Sequence, residues 1–217
     1  WNGHYDTNPP YPAMEHNYAG QYRRTFVLGE EWTGEDVFLH IGSATSNVRV
    51  WVNGKHVGYS EDSKLEARFD ITEYVRPGEN LIALEIFRWC DGTYLEDQDF
   101  FRFTGLARDT YISAREKKRI EDINVVASAS GKADVKVEVT KGVTSVDVEI
   151  LDPSGKSVVS KRLAVNPKSV SERKLPVVGA VLEVPSPKLW SAETPWLYTL
   201  KVASYDKKGR TEATSIE

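Results

Sequence analysis

Along most of the chain, apolar and polar residues alternate with a period of two. Val37, Leu39 and Ile41 are interleaved with Phe38 and His40, and Val48, Val50 and Val52 with Arg49 and Trp51. Leu81 to Phe87 is a further apolar-rich run. A period of two sends successive side chains to opposite faces, so these runs predict strands with one face on a core. Asn53-Gly54 follows the Val48–Val52 run and precedes His56-Val57-Gly58-Tyr59. That pair supplies the two positive φ angles of a type I′ turn and predicts a tight hairpin. Arg76-Pro77-Gly78-Glu79-Asn80 predicts a second turn. Helical signal is confined to Ile71–Val75, one short turn with Asp70 or Thr72 as its cap.

The texture changes near residue 116. Arg115-Glu116-Lys117-Lys118-Arg119 reads as a solvated linker between strand-like runs. Beyond it, Ile120–Ala127, Ala133–Thr140, Val143–Leu151, Val158–Val165, Val178–Val184 and Leu197–Tyr205 read as about six short strands. Asp152-Pro153-Ser154-Gly155 supplies turn chemistry after the third. Short strands at regular spacing predict an immunoglobulin-like sandwich, here a fibronectin-like variant because no cysteine pair is available. The chain therefore divides into a first domain, 1–115, and a second, 116–217, with no internal repeat and no low-complexity tract.

Composition narrows the function classes. The 217 residues suit two domains of about 100 residues each. A net charge of -4, with no basic motif, speaks against a nucleic-acid or polybasic membrane-surface partner. No apolar run approaches the 18 residues of a spanning helix, and no signal peptide is recognisable. The opening Trp1-Asn2-Gly3 is not expected of a native N-terminus. Cys90, the single cysteine, cannot form an intrachain disulfide and is expected as a small buried hydrophobe. One cysteine and the scattered His4, His16, His40 and His56 do not make a metal site. The nucleophile-elbow, Walker, dinucleotide-binding and zincin signatures are all absent from the sequence, and no Ser/His/Asp set stands out. The six Trp, ten Tyr and seven Phe fit sandwich cores and also sugar platforms.

One segment does not read as a plain strand. Arg88-Trp89-Cys90-Asp91-Gly92-Thr93-Tyr94-Leu95-Glu96-Asp97-Gln98-Asp99-Phe100-Phe101-Arg102 gathers Glu96, Asp97 and Asp99 between aromatics and two arginines. Carboxylates this close repel unless a cation or hydrogen-bond donors offset them. Spacing alone leaves three readings open: an exposed acidic loop paired with Arg88 and Arg102, a hard-cation site for Na⁺, Mg²⁺ or Ca²⁺, or a sugar site.

The segment from Arg88 to Asp99 is similar to the R-W-x-D-G-S-Y-L-E-D-Q-D block of the lac-type β-galactosidases of glycoside hydrolase family 2. Trp51-Val52-Asn53-Gly54-Lys55-His56-Val57-Gly58-Tyr59-Ser60-Glu61-Asp62-Ser63 resembles that family's W-x-N-G-x-x-V-G-Y-x-x-D-S hairpin. Asn8-Pro9-Pro10 and Gly20-Gln21-Tyr22-Arg23-Arg24-Thr25-Phe26 match its opening strands in order. Gly105-Leu106-Ala107-Arg108-Asp109 resembles its G-I-F-R-D-V strand, with Ala107 in place of Phe. The run from Pro187 to Tyr198 resembles its N-P-x-L-W-S-A-E-x-P-x-L-Y signature.

The resemblance implies an all-β chain: a jelly-roll β-sandwich of the galactose-binding type, then an immunoglobulin/fibronectin-III-like sandwich. It implies that the early jelly-roll strands lie upstream of Trp1, and that a last strand of the second domain lies beyond Glu217. It places both catalytic glutamates on a (β/α)₈ barrel beyond residue 217. Glu96 would then have no catalytic role, and the chain alone would be inactive. In that family the last Asp of the acidic block contacts the galactosyl hydroxyls and a sodium ion. Asp99 takes that position as substrate and Na⁺ ligand. A second sugar contact, an Asn of a Y-x-N segment, would lie upstream of Trp1, and any Mg²⁺ would belong to the barrel. The expected partners are a β-galactoside and the chain's own barrel. A homo-oligomeric parent and a bacterial cytoplasm or periplasm both fit. Trp51, Trp89 and Trp190 are expected in cores or between domains, and Arg108 and Asp109 in local ion pairs. The rival readings are a free-standing carbohydrate-binding module, a purely structural sandwich pair, and a β-glucuronidase or β-mannosidase of the same family. The Glu96–Asp99 block favours β-galactosidase among them.

Overall fold

The computed structural model describes residues 8–12, 14–96 and 103–217. The chain forms two compact units, Trp1–Arg115 and Glu116–Glu217, each built from antiparallel strands.

In the first unit, β1 (Ala19–Leu28), β7 (Gly78–Phe87), β4 (Asn47–Val52) and β5 (Lys55–Glu61) form a four-stranded sheet in the order β1-β7-β4-β5. A second sheet runs β6 (Ala67–Asp70), β2 (Asp36–Ile41), β9 (Thr110–Arg115), and a small ladder joins β3 (Ala44–Thr45) to β8 (Gly105–Leu106). The predicted alternation sets the core. Val48, Val50 and Val52 of β4 and Val37, Leu39 and Ile41 of β2 are at most 2% exposed and meet Leu84, Ile86 and Ile71 between the sheets. Each such side chain contributes about 1.5–3 kcal/mol of burial. Phe38, on the opposite face of β2, is buried as well, because the Arg68 guanidinium lies 4.9 Å from its ring centroid.

The turns follow their residues. Asn53 and Gly54 take φ of 50° and 79°, as a type I′ hairpin requires. Gly58 has no spare room: a Cβ there would meet the Phe69 ring at 2.9 Å. Asn80, 1% exposed, closes the second turn by donating to the carbonyls of Arg76 and Gly78 and accepting from the Arg76 N–H. The helical turn expected at Ile71–Val75 is present, and the Asp70 carboxylate accepts from the Thr72 N–H at 3.0 Å; short 3₁₀ turns at Glu30–Trp32 and Asp91–Tyr94 come in addition.

The second unit is a sandwich of three strands on four: β10 (Ile120–Ala127), β11 (Lys132–Val139) and β14 (Val177–Glu183), against β13 (Ser157–Ala164), β12 (Ser145–Leu151), β15 (Thr199–Tyr205) and β16 (Arg210–Ile216). Val135, Val137, Val139, Val146 and Val148 are fully buried between the sheets, with Leu182 and Val202. This is an immunoglobulin-like arrangement held by apolar packing. Strand β16 goes unannounced in the sequence because Arg210–Ile216 carries no apolar alternation. It is a polar edge strand, specified by its pairing with β15.

The charged stretch at 115–119 departs from a solvated linker. Arg119 is 5% exposed, its Nε donates to Glu121 at 3.0 Å, and its Nη1 donates to the Glu116 carbonyl. A guanidinium is tolerated there because it is paired and hydrogen-bonded.

Candidate functional site

The acidic segment begins where β7 ends. Leu84 and Ile86 point into the core, and the chain then turns at Trp89 and Cys90, each 5% exposed, into a short 3₁₀ turn, Asp91–Tyr94. The turn is capped from within: the Cys90 N–H donates to Thr93 Oγ1 at 3.0 Å, and the Thr93 N–H donates to the Cys90 carbonyl at 3.1 Å. Cys90 packs with its Sγ 3.6 Å from the Ser46 carbonyl, as a small buried hydrophobe would.

Three other segments hold this turn. Asn17 grips Trp89 from both sides, accepting from its N–H at 2.9 Å and donating to its carbonyl at 3.1 Å. The Arg88 N–H donates to the Tyr18 carbonyl. Tyr94 Oη donates to the Tyr11 carbonyl at 2.9 Å and accepts from the Asn8 N–H at 3.3 Å. The third tether is Glu96. One carboxylate oxygen accepts from the Ser63 N–H at 2.9 Å, and the other makes a short hydrogen bond with Ser63 Oγ. Ser63 is itself buried, and its carbonyl accepts from Ser43 Oγ at 2.7 Å. Two sequence blocks that are distant along the chain, the hairpin ending at Ser63 and the acidic block, are thus joined by one carboxylate.

The fate of each expected site residue follows. Glu96 is a structural acceptor. Both of its oxygens are engaged by Ser63, so it is not the carboxylate of an exposed repelling cluster. Asp97, Asp99 and Arg102 lie outside the described residues. The Arg88 guanidinium lies over the Trp89 ring, 4.7 Å from the centroid. Trp51 is half-buried against His56, whereas Trp190 is 61% exposed rather than in a core. Arg108 donates to the Lys64 carbonyl at 2.7 Å, and the Asp109 carbonyl accepts from the Gly42 N–H.

Could the described residues hold the expected sodium ion? Glu61, Cys90 and Asp91 bring their ligand atoms within 4.8 Å of one another. That donor set suits Na⁺ poorly, since a buried thiol is a soft ligand and hard cations take oxygen. Glu61 is also engaged by the Tyr59 hydroxyl. Burial first, and then the hydrogen bond and negative charge of Glu61, hold the Tyr59 phenol well above its ordinary range. It therefore stays a neutral donor.

One constellation is invisible in the sequence. His40 on β2 has Nε2 2.8 Å from Ser113 Oγ on β9 and Nδ1 2.7 Å from a Glu66 oxygen, with its ring stacked on Tyr111 at 4.4 Å. These are the distances of a nucleophile–base–carboxylate relay. Ser113 is brought to His40 by the pairing of β2 with β9, and Glu66, just before β6, by the pairing of β2 with β6, which no linear spacing announces. They sit on the outer face of a sheet where Glu66 is 44% exposed, and among the described cavities none is lined by them. A relay without a pocket has no oxyanion donors to act with, so the set is a cross-strand clamp.

The model of the glycosyl hydrolases family 2 sugar binding domain matches residues 5–115, and the model of glycosyl hydrolases family 2 matches residues 118–215. The chain belongs to glycoside hydrolase family 2. The β-galactosidase of Priestia megaterium is 36% identical over 221 residues, covering 96% of this chain and 21% of that protein. The β-galactosidase of Staphylococcus xylosus is 36% identical over 200 residues, covering 90% and 19%. The chain thus spans about a fifth of the length of these relatives. Among solved structures, a β-glucuronidase from Ruminococcus gnavus superposes with a TM-score of 0.73 over 93% of this chain and 36% of its own, at 24% identity. A family 2 member from Bacteroides cellulosilyticus gives 0.71 over 91% and 26%, at 25% identity. The β-glucuronidase match establishes the fold, a jelly-roll sandwich followed by an immunoglobulin-like one.

Proposed function

We propose that this chain is the accessory, barrel-supporting part of a family 2 β-galactosidase that releases terminal non-reducing β-D-galactose with retention. Its direct contribution to the reaction is one sugar and sodium contact, from Asp99. The observation that carries the reading is the anchoring of the acidic block. Trp89 and Cys90 are buried, Asn17 grips the backbone, and Glu96 is locked to Ser63. Asp99 follows that lock by three residues in the sequence, and the described residues up to Glu96 are held by the sandwich. A ligand-reading carboxylate gains from such support, because pre-organisation lowers the cost of holding the substrate in register. The identity to β-galactosidases over almost the whole chain supports the choice of galactoside.

Retaining hydrolysis needs two carboxyl groups about 5–5.5 Å apart across the scissile bond. In this reading they belong to the barrel, and Asp99 binds sugar hydroxyls and Na⁺ without moving a proton. The sodium ion would add fixed positive charge beside those hydroxyls.

The test is hydrolysis of a panel of nitrophenyl β-glycosides by the parent enzyme, native and Asp99→Ala. Cleavage of the galactoside alone, with a loss of roughly 100-fold or more in kcat/KM in the variant, is the expected result. Preference for the glucuronide or mannoside would retain the family and reject the substrate. A fully active variant would remove Asp99 from the site. Galactose binding by the 217-residue chain alone, as tight as in the parent, would favour a free-standing binding module instead.

A further inference from the structure

Strands β1 and β7 pair from Leu28 opposite Gly78 to Ala19 opposite Phe87. One rung further, the Arg88 N–H donates to the Tyr18 carbonyl at 2.9 Å, so the ladder still runs from backbone to backbone. At Trp89 it changes character. The Asn17 side chain accepts from the Trp89 N–H at 2.9 Å and donates to the Trp89 carbonyl at 3.1 Å. A carboxamide is planar and carries one carbonyl and one NH₂, so it offers the acceptor and the donor of a peptide group. Asn17 thus supplies a last rung by imitation, and it does so while the two backbones part. Its own backbone comes out of a turn in which His16 takes φ of 60°. The chain after β7 turns inward, with Trp89 and Cys90 each 5% exposed, and enters the 3₁₀ turn Asp91–Tyr94. Tyr94 and Glu96 are tethered by their side chains. Asn17 instead holds the main chain, at the root of the acidic block.

We infer that Asn17 is a positioning residue for the galactoside site: it sets the direction in which the chain leaves β7, and through that the placement of the Asp99 carboxylate against sugar and sodium. The inference rests on the reading of Asp99 as that contact. Asp99 lies ten residues after Trp89 in the sequence, so an error in direction at the root is carried toward it. A misplacement of about 1 Å in a group that orients substrate costs about 100-fold in rate, even when the substitution causing it is remote from the chemistry. Two hydrogen bonds from one planar group fix both the position and the orientation of the Trp89 peptide, which a single bond cannot do. Asn17 touches neither sugar nor ion in this scheme and acts only through the backbone it holds.

A double-mutant cycle on the full-length parent tests this, with hydrolysis of nitrophenyl β-galactoside and its sodium dependence as readouts. Asn17→Ala removes both hydrogen bonds. Asn17→Asp keeps the acceptor and sets its second oxygen against the Trp89 carbonyl; being isosteric, it serves alone if the alanine variant does not fold. In either variant KM should rise at least about 10-fold, and the sodium concentration that gives half-maximal activity should rise with it. In an Asp99→Ala background the same substitution should change kcat/KM by less than about 2-fold, because a residue that acts through Asp99 then has nothing left to place. Native KM and native sodium dependence in a folded variant, whether or not its Tm is lower, overturn the inference and make Asn17 a clamp for stability alone. Equal losses with and without Asp99 overturn it as well. Asp99→Ala by itself separates the two claims. If it is impaired while the Asn17 variants are not, the role of Asn17 falls and the Asp99 contact stands. If it is as active as the native enzyme, the Asp99 contact falls and the positioning role falls with it.

Discussion

At the residue scale, Glu96 shows how a carboxylate in a conspicuous acidic block can be structural. Its oxygens satisfy a backbone N–H and a hydroxyl of Ser63, a residue 2% exposed. Glu96→Gln keeps the shape but gives an amide that accepts through one oxygen only, leaving a buried donor unsatisfied. Such a loss costs about 1–3 kcal/mol. Thermal unfolding of the 217-residue chain at neutral pH should register it as a lower Tm, and Ser63→Ala should lie between the variant and the native chain. If Glu96→Gln unfolded at the native temperature, the tether would have no energetic weight. The parent enzyme should retain its substrate preference in this variant, because Glu96 touches scaffold and not sugar. The sequence identified the acidic block as unusual, but could not assign Glu96 to Ser63, since that partner lies 33 residues away and meets it only after both strands are in place.

At the element scale, the strands legible from alternation are those with a buried face: β2, β4, β11 and β12 all follow their valine, leucine and isoleucine positions. Strand β16 was not legible, because an edge strand facing water on most of its surface needs no apolar period. Its pairing with β15 specifies it, and the turn before it returns the chain into that register. Asp206 Oδ1 accepts from the N–H groups of Lys208 and Gly209 at 2.7 and 3.1 Å, and its other oxygen takes Lys118 Nζ at 2.6 Å. The Lys118 hydrogen bond and then the backbone donors hold the Asp206 carboxyl below the ordinary carboxylate range. A depressed folded-state pKa stabilises the fold above the unfolded pKa, and the contribution disappears as pH falls through the folded value. Asp206→Asn should therefore lower the Tm of the second unit at neutral pH. The gap should narrow as the solution is acidified below the ordinary Asp range and close once the native Asp206 is protonated. A gap that stayed constant across that titration would show that the charge of Asp206 is not what holds the turn.

At the scale of the whole molecule, the charged stretch around residue 116 marked the change of texture but not its construction. Composition reads Arg115–Arg119 as solvated, whereas Arg119 is buried against Glu121 because the second unit takes it into its own fold. The two compact units, Trp1–Arg115 and Glu116–Glu217, each carry a separate apolar cluster, one centred on Leu39, Ile71 and Val50, the other on Val137, Val148 and Leu182. A core that is complete within one unit makes the unfolding of that unit cooperative by itself. Ile71→Ala and Leu182→Ala each remove a side chain no more than 2% exposed, a change that costs about 2–5 kcal/mol. In native-state hydrogen exchange of the 217-residue chain, Ile71→Ala should speed exchange in β2, β4 and β7 and leave β11, β12 and β15 at their native rates. Leu182→Ala should do the reverse. If either substitution accelerated exchange equally in both sets of strands, the two cores would unfold as one unit, and the division at Arg115 would be one of geometry without a matching division of stability.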